Sequence, residues 1–127
     1  MLKRITLLVI AIMAFSQCGK KEQVPTITGL GIKKLGPYSV VLSVAITEQG
    51  TQPITERGYC MNFPDNYSTP EYGNCDTTIT VSGYAGEWVV QDTIGSLFPD
   101  SEYRVCAYAL NKIGVGTSDV LIFRTKK

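Results

Sequence analysis

The stretch from Leu97 to Asn111 constrains the fold of this chain more than any other part of the sequence. It opens with a turn signal, because Pro99 pre-sets its own φ and Asp100 can bond to its own backbone. The residues that follow alternate as in a strand, and four of them share one face: Tyr103, Val105, Ala107 and Ala109. A large ring beside small alanines suits an inner sheet face. Tyr103 is either an ordinary strand tyrosine or, as we expect, forms a tyrosine corner with Leu97, in which the hydroxyl bonds back to the turn.

A second segment alternates without interruption and predicts a half-buried strand. Its apolar face consists of Tyr38, Val40, Leu42, Val44 and Ile46. Five further strands are predicted over Thr26–Ile32, Ile54–Met61, Thr77–Ser82, Glu87–Ile94 and Asp119–Arg124, and residues 111–118 read as a glycine-bearing loop. Seven short strands with turns between them, and no helical periodicity, predict an all-β, immunoglobulin-like antiparallel β-sandwich over residues 26–127.

The alternation also predicts which side chains face the core. In the first strand these are Ile27 and Ile32, and in the last strand Leu121 and Phe123. In the fifth strand they are Trp88, Val90 and Ile94; Asp92 interrupts this face and would need partners if it were buried. Trp88 is expected in the core, because aromatic residues dominate burial in sandwiches.

The segment after the turn resembles the fibronectin type III domains found in lipoproteins of Gram-negative gut bacteria. The residues that carry the resemblance are Tyr103, Val105, Ala107, Tyr108, Ala109 and Asn111. Glu56-Arg57-Gly58-Tyr59-Cys60 and Phe123-Arg124-Thr125 are similar to the third and last strands of that family. Cys106 departs from the pattern, since the family usually has arginine there. The resemblance covers roughly residues 26–125 and implies a fibronectin type III-like sandwich, a fold that hosts many functions.

The N-terminal residues indicate a signal and a lipid anchor. Lys3 and Arg4 precede an apolar run, Ile5 to Phe15, which is too short to span a bilayer and fits a secretory signal peptide over residues 1–17. Cys18 after this run is similar to a bacterial lipoprotein site, where diacylglycerol and an acyl chain such as palmitate would be attached, and residues 18–25 would be a lipidated tether. Phe15 and Gln17 depart from the strict pattern, so ordinary secretion with cleavage nearby is the alternative. Gly19 favours the outer membrane, on either its surface or its periplasmic side.

Three cysteines remain if Cys18 is acylated, which allows one internal disulfide and one leftover thiol. In the sandwich implied by the resemblance, Cys60 lies between the element with Cys75 and the strand with Cys106. We expect a Cys60–Cys75 bridge, with Cys106 as the alternative partner of Cys60; three unpaired thiols are the third possibility.

The composition argues against most chemistry. The chain has no histidine, so a histidine-based catalytic triad, a histidine metal site or a histidine-activated catalytic thiol is excluded. Without Lys3 and Arg4 the chain carries ten basic and eleven acidic side chains and no basic stripe, which argues against nucleic acid. We predict no enzyme activity, no cofactor and no metal.

The long segment Asn62–Asn74 is the candidate ligand-binding loop. It has several turn residues, no periodicity and three aromatic residues: Phe63, Tyr67 and Tyr72. Loop aromatics can stack on sugar rings or anchor a protein partner. The alternative, which we favour, is that they fold back over the sheet edge, because single surface aromatics are common.

Two triplets, Asp76-Thr77-Thr78 and Asp92-Thr93-Ile94, are similar to the pattern that some of these bacteria O-glycosylate, which makes Thr77 and Thr93 candidate sites. Chance in a threonine-rich β protein is the alternative. Three function classes are compatible with the sequence. The first, which we favour, is a lipid-anchored envelope module for binding or adhesion to a protein. The others are a glycan-binding accessory of a polysaccharide-uptake system and a structural envelope subunit.

Overall fold

The computed structural model describes residues 21–81 and 89–127, and every regular element in these ranges is a β-strand. The strands are β1 (Thr26–Leu35), β2 (Val40–Glu48), β3 (Glu56–Asn62), β4 (Thr77–Val81), β5 (Val89–Ile94), β6 (Glu102–Leu110), β7 (Val115–Thr117) and β8 (Leu121–Arg124). Sheet A has the order β1-β2-β5, and sheet B has the order β4-β3-β6-β7 with β8 also paired to β6. All these pairings are antiparallel, which confirms the predicted all-β sandwich. Within the same ranges no helix is long and apolar enough to cross a membrane.

The strand β7 lies inside the segment that was expected to be a loop. It pairs with the second half of β6, and β8 pairs with the first half, so the two together cover one edge of β6. Between them the ladder is interrupted at Ser118, whose Oγ accepts a hydrogen bond from Ala107 N at 2.9 Å. A side chain thus replaces a backbone acceptor at this point. The edge strand is therefore split in two, which gives eight strands rather than seven.

The strict alternation of β2 builds the centre of the core. Its inward residues Val40, Leu42, Val44 and Ile46 are fully or almost fully buried. The prediction for Tyr38 was wrong, because this residue precedes the strand and is 63% exposed. A tight turn causes the difference: Gly36 N donates to Ser39 O at 2.9 Å, and this turn directs Tyr38 away from the core.

The first strand departs from simple alternation. Ile27, Leu30 and Leu35 pack against the core, whereas Ile32, predicted to face it, is 41% exposed. The pairing of β1 with β2 shifts register between Ile27 and Gly29 and again between Ile32 and Lys34. A bulge changes which side chains point inward. The strand also extends three residues beyond its predicted end, to Leu35.

Asp92 has the partners that its position required. The Arg57 guanidinium forms a two-bond salt bridge with its carboxylate, at 2.8 and 3.0 Å, and the Tyr59 hydroxyl donates to the same carboxylate. Burial alone raises the pKa of Asp92, but the hydrogen bonds from Arg57 and Tyr59 outweigh it and hold that pKa below its usual value. The contact joins β3 of one sheet to β5 of the other. Trp88, expected on the same face as Asp92, lies outside the described residues.

The strands β3 and β6 are buried on both faces, which is unusual for a small sandwich. Their inner faces join the main core, and Phe123 and Leu121 of β8 pack there as predicted. Their outer faces carry a second cluster, made of Cys60, Cys106 and Tyr108. Gly58 leaves room for this cluster, because a Cβ atom there would lie 3.0 Å from the Tyr108 ring and 1.9 Å from the carbonyl oxygen of Ile79. Tyr72 of the loop between β3 and β4 covers the cluster, with its ring centroid 4.6 Å from that of Tyr108.

Candidate functional site

The sandwich has two poles that differ in how they are closed. At the proximal pole, where the described chain enters β1, the Asn111 amide donates to Gln23 O at 2.9 Å and to Gln49 O at 3.1 Å. Asn111 Oδ1 accepts hydrogen bonds from Ile113 N and Gly114 N, at 2.8 and 3.1 Å. One buried side chain therefore ties together the entering chain and two loops.

The distal pole is at the other end of the strands, where β1 ends and β2 begins. It consists of the turn 36–39, the first loop residues after β3 (63–65) and the connection 95–101. Leu97 N donates to Tyr38 O at 3.0 Å, which joins the first and the last of these segments. Three aromatic side chains are exposed here: Tyr38 at 63%, Phe63 at 48% and Phe98 at 70%.

Tyr103 holds the connection 95–101 in place. Its hydroxyl accepts a hydrogen bond from Phe98 N at 2.9 Å, and its ring packs on Phe123 with centroids 5.7 Å apart. Leu97 is buried beside it. Ser96 and Asp100 in the same connection have positive φ values of 59° and 49°. The tyrosine thus fixes a turn that contains two non-glycine residues in a sparsely populated conformation.

A groove of about 650 Å³ opens at the distal pole between the ends of β4 and β5. We call it the distal groove. Its apolar lining comes from both sheets and both adjoining connections: Met61, Phe63, Ile79, Ile94, Leu97 and Phe98. Asp65, Thr77, Ser96, Ser101 and Tyr103 supply its polar side-chain groups. Its size and its largely apolar lining are those of ordinary ligand pockets.

Hydrogen bonds at the base of its loop hold the backbone of Phe63. Phe63 N donates to the Asp76 carboxylate at 2.8 Å, and the Asn66 amide donates to the same carboxylate at 3.1 Å. Asn62 Oδ1 in turn accepts a hydrogen bond from Asp76 N at 2.9 Å. These bonds fix the start of the loop against its end and so position Phe63 at the groove.

The three aromatics of the candidate loop do not share one surface. Phe63 lines the distal groove. The Arg104 guanidinium lies 5.1 Å from the centroid of the Tyr67 ring, and Tyr72 packs on Tyr108. Tyr67 and Tyr72 therefore fold back over the outer face of sheet B, although Tyr67 is still 73% exposed.

Phe98 is the groove residue that the sequence analysis missed. It is the second of two adjacent apolar residues, and Leu97 already occupies the inward position at that point of the chain. An apolar residue next to a committed core residue, in a turn, is the signal that could have identified it. At 70% exposure it is the most exposed of the large apolar side chains that line the groove.

The cysteines Cys60, Cys75 and Cys106 are free thiols that lie together under the loop. Cys60 and Cys106 are directly opposed in the pairing of β3 with β6. The Sγ atoms of Cys60 and Cys75 lie 3.9 and 3.6 Å from the same Thr78 Oγ1. Burial raises the pKa of Cys60 to about 12 and also raises that of Cys106. Cys18 lies outside the described residues.

The two candidate glycosylation residues have different surroundings. Thr77 is half-buried and lines the distal groove, whereas Thr93 is exposed on β5. The acidic residue before each threonine already has a partner. The Asp76 carboxylate accepts a hydrogen bond from Phe63 N, and Asp92 forms a salt bridge with Arg57. Among the described residues no group of acidic or cysteine side chains is arranged to hold a metal ion.

Comparison with solved structures identifies the class of fold. The chain is similar to the fourth FNIII domain of a human protein, with 18% identity, a TM-score of 0.54, and coverage of 84% of this chain and 80% of that one. It is similar to a myokine structure, with 17% identity, a TM-score of 0.58, and coverage of 84% and 100%. It also matches the FN1–FN3 domains of chicken CNTN1, with 18% identity, a TM-score of 0.56, and coverage of 84% of this chain and 32% of that one.

The chain therefore has a fibronectin type III-like, immunoglobulin-like fold. At these identities the likeness shows the fold alone. No protein-family model matches the sequence, and no curated protein matches it either.

Proposed function

We propose that this protein is a non-catalytic binding module that a lipid on Cys18 anchors to the outer membrane of a Gram-negative bacterium, and that it presents the distal groove to a protein ligand. The observation that carries the proposal is the position of the groove. The chain enters the sandwich at the proximal pole, and the groove with its exposed aromatics lies at the opposite pole. An anchor before residue 25 would hold the proximal pole towards the membrane and leave the groove free to meet a partner.

The chemistry of the groove favours a protein partner. Phe63 and Phe98 form an exposed apolar rim, and aromatic side chains are enriched in the centres of protein interfaces. The polar side-chain groups in its lining are one carboxylate and four hydroxyls. An apolar side chain of a partner would fill this groove and release the water that covers its walls. The expected ligand is therefore a protein segment with apolar or aromatic side chains.

The same lining supports a function without catalysis. A nucleophile needs a neighbouring base, and a pair of carboxylates is needed for acid–base hydrolysis of glycosides. In the distal groove Asp65 supplies the one carboxylate among the lining residues, beside the hydroxyls of Thr77, Ser96, Ser101 and Tyr103. The similarity of the fold to solved fibronectin type III domains is consistent with a function without catalysis.

A glycan-binding function is the second candidate, and Tyr67 is the observation that favours it. Its ring is 73% exposed and Arg104 holds it from below. Such a ring could stack on a sugar. A single exposed ring offers less area than the groove, so we place this function second.

The test uses the lipidated protein from its host and a detergent extract of the host envelope and its surroundings. Wild-type protein, the Phe63→Ala/Phe98→Ala variant, Tyr67→Ala and the control Val89→Ala are immobilised, and retained proteins and polysaccharides are quantified. Val89 is 61% exposed at the opposite end of β5 from the groove, so it controls for loss of exposed apolar area. We expect a discrete protein that wild type and Val89→Ala retain and the double variant loses.

Each of the other outcomes contradicts the proposal. Equal retention of protein by all variants would exclude the groove as the binding surface. Retention of a polysaccharide that only Tyr67→Ala loses would support the glycan function instead. A partner bound equally well by every variant in a fixed complex would indicate a structural envelope subunit.

A further inference from the structure

The cluster of three thiols on the outer face of sheet B has no part in the groove. Its members come from three separate elements: Cys60 from β3, Cys106 from β6, and Cys75 from the loop just before β4. Cys60 lies between the other two, opposite Cys106 in the strand pairing and beside Cys75 at Thr78.

The three thiols differ in accessibility. Cys60 and Cys106 are 0% and 2% exposed. Cys106 Sγ donates to Pro70 O at 3.4 Å, beneath the loop. Cys75 is partly exposed, and its Sγ donates to Thr77 O at 3.2 Å. A dissolved oxidant therefore reaches Cys75 before it reaches either buried thiol.

We propose that this cluster is a reversible redox site in which Cys75 reacts first, Cys60 closes a Cys60–Cys75 disulfide, and Cys106 stays a thiol. The oxidant is a disulfide-bearing molecule, either small or a protein. The Cys75 thiolate attacks one sulfur of that disulfide, so that a mixed disulfide forms and one thiol leaves with a proton. The Cys60 sulfur then attacks the Cys75 sulfur and gives up its proton to the departing thiolate, which leaves as the second thiol. Two protein thiols are oxidised to one disulfide, and the oxidant is reduced to two thiols.

The bridge would lock the loop that carries Phe63. It would join the end of the loop to β3, from which the loop starts, and so close a ring of about 15 residues, a length at which a disulfide strongly restricts the open chain. Asp76, directly after Cys75, holds the backbone of Phe63. The redox state of the cluster is thus linked to the rim of the distal groove through a single residue. The thiol chemistry itself does not depend on the proposed ligand.

The experiment oxidises the full chain with oxidised glutathione and compares wild type, Cys75→Ser and Cys106→Ser. Disulfides are mapped by mass spectrometry of non-reduced peptides, and rates are followed by loss of free thiol. We expect Cys106→Ser to form the Cys60–Cys75 bridge at the wild-type rate. We expect Cys75→Ser to lose thiols at least about tenfold more slowly, because its remaining thiols are buried.

A second measurement follows the loop itself. Amide hydrogen exchange of residues 66–74 should slow by about tenfold in the oxidised protein and recover on reduction with dithiothreitol. The same measurement on untreated variants, together with their thermal unfolding, shows whether each serine variant is folded.

Three results would overturn the proposal. The first is a Cys60–Cys106 bridge as the main product in wild type. The second is equal oxidation of folded Cys75→Ser, and the third is a mixture of disulfide-linked dimers in place of the internal bridge. Because no ligand is used, none of these results depends on whether the distal groove binds a protein.

Discussion

The two poles of this sandwich differ in what covers the ends of its strands: buried hydrogen bonds at the proximal pole and exposed aromatic side chains at the distal pole. At the proximal pole one buried amide, that of Asn111, accepts and donates hydrogen bonds that satisfy the backbone of three segments. At the distal pole Tyr103 fixes the backbone equally firmly, but Phe63, Phe98 and Tyr38 remain exposed above an apolar groove. Side-chain hydrogen bonds hold the backbone at both poles. The distal pole in addition exposes three aromatic side chains beside an apolar groove, and a small monomer rarely exposes a contiguous apolar patch without a function.

The largest expected effect concerns the proposed lipid anchor. Cys18→Ser removes the sulfur that would carry the lipid. We expect the protein to move almost completely from the membrane pellet to the soluble fraction in the native host. Cys75→Ser is the matched control and should stay in the pellet. Retention of Cys18→Ser in the pellet, with an unchanged intact mass, would show that the anchor is elsewhere.

Asn111→Ala should open the proximal pole and cost about 3 kcal/mol in the free energy of unfolding, because several buried backbone groups lose their partner. Urea denaturation measures the change. The neighbouring control Lys112→Ala is on the exposed surface and should stay within about 0.5 kcal/mol of wild type. A cost for Asn111→Ala as small as that of the control would mean that the pole is closed by other contacts.

Phe98→Ala, at the distal pole, should weaken binding and leave the stability of the fold nearly unchanged. Its side chain is 70% exposed, so the free energy of unfolding should change by less than about 0.5 kcal/mol. Affinity for the captured partner should fall at least about tenfold, which corresponds to about 1.4 kcal/mol. Urea denaturation and titration calorimetry separate the two quantities. A variant that is less stable but binds normally would place Phe98 in the core rather than at the interface.

Tyr103→Phe tests the hydrogen bond that fixes the distal backbone. The ring stays packed on Phe123, but Phe98 N loses its acceptor, so the free energy of unfolding should fall by about 1 kcal/mol. Tyr38→Phe serves as the control, because Tyr38 is mostly exposed and its hydroxyl should contribute little. If the two variants had the same free energy of unfolding, the hydrogen bond from Phe98 N to the Tyr103 hydroxyl would not contribute to stability.

The smallest effect is a pH dependence from the contact between the sheets. The folded pKa of Asp92 lies below its unfolded value, near 3.9 in model peptides. The stabilisation by this contact is therefore complete above the unfolded pKa and is lost as the pH falls through the folded pKa. Thermal unfolding between about pH 5 and pH 2 should show this loss in wild type. Asp92→Asn should show a weaker dependence over the same range, and an identical dependence would contradict the assignment.

Much of the fold follows from the sequence because its strongest strands obey simple alternation. β2 and β6 could be placed with their inward residues, and the requirement for partners around Asp92 was evident from its position in an apolar face. The register shifts in β1 could not be predicted, because they depend on pairing with β2 and not on the local pattern. The split between β7 and β8 likewise occurs where the Ser118 side chain, rather than a backbone carbonyl, accepts the hydrogen bond from Ala107 N.

The candidate site was predictable only in part, since it is formed by residues distant in the chain. Phe63 was singled out as a loop aromatic, but the distal groove also needs Phe98 and the ends of β4 and β5. Tyr67 and Tyr72 have the same composition signal as Phe63, and they lie on the outer face of sheet B because Arg104 and Tyr108 are there. The spacing of these residues in the sequence does not indicate which loop aromatic packs against another side chain of the fold.

We propose that the distal groove, at the pole opposite the proposed anchor, is the surface that meets a partner. The most direct measurement is photo-crosslinking in living host cells, with benzoylphenylalanine placed at Phe98 or, as the control, at Val89 on the other end of β5. We expect a discrete crosslinked protein from the Phe98 position and none from the Val89 position. The same product from both positions, or a product from Val89 alone, would contradict it.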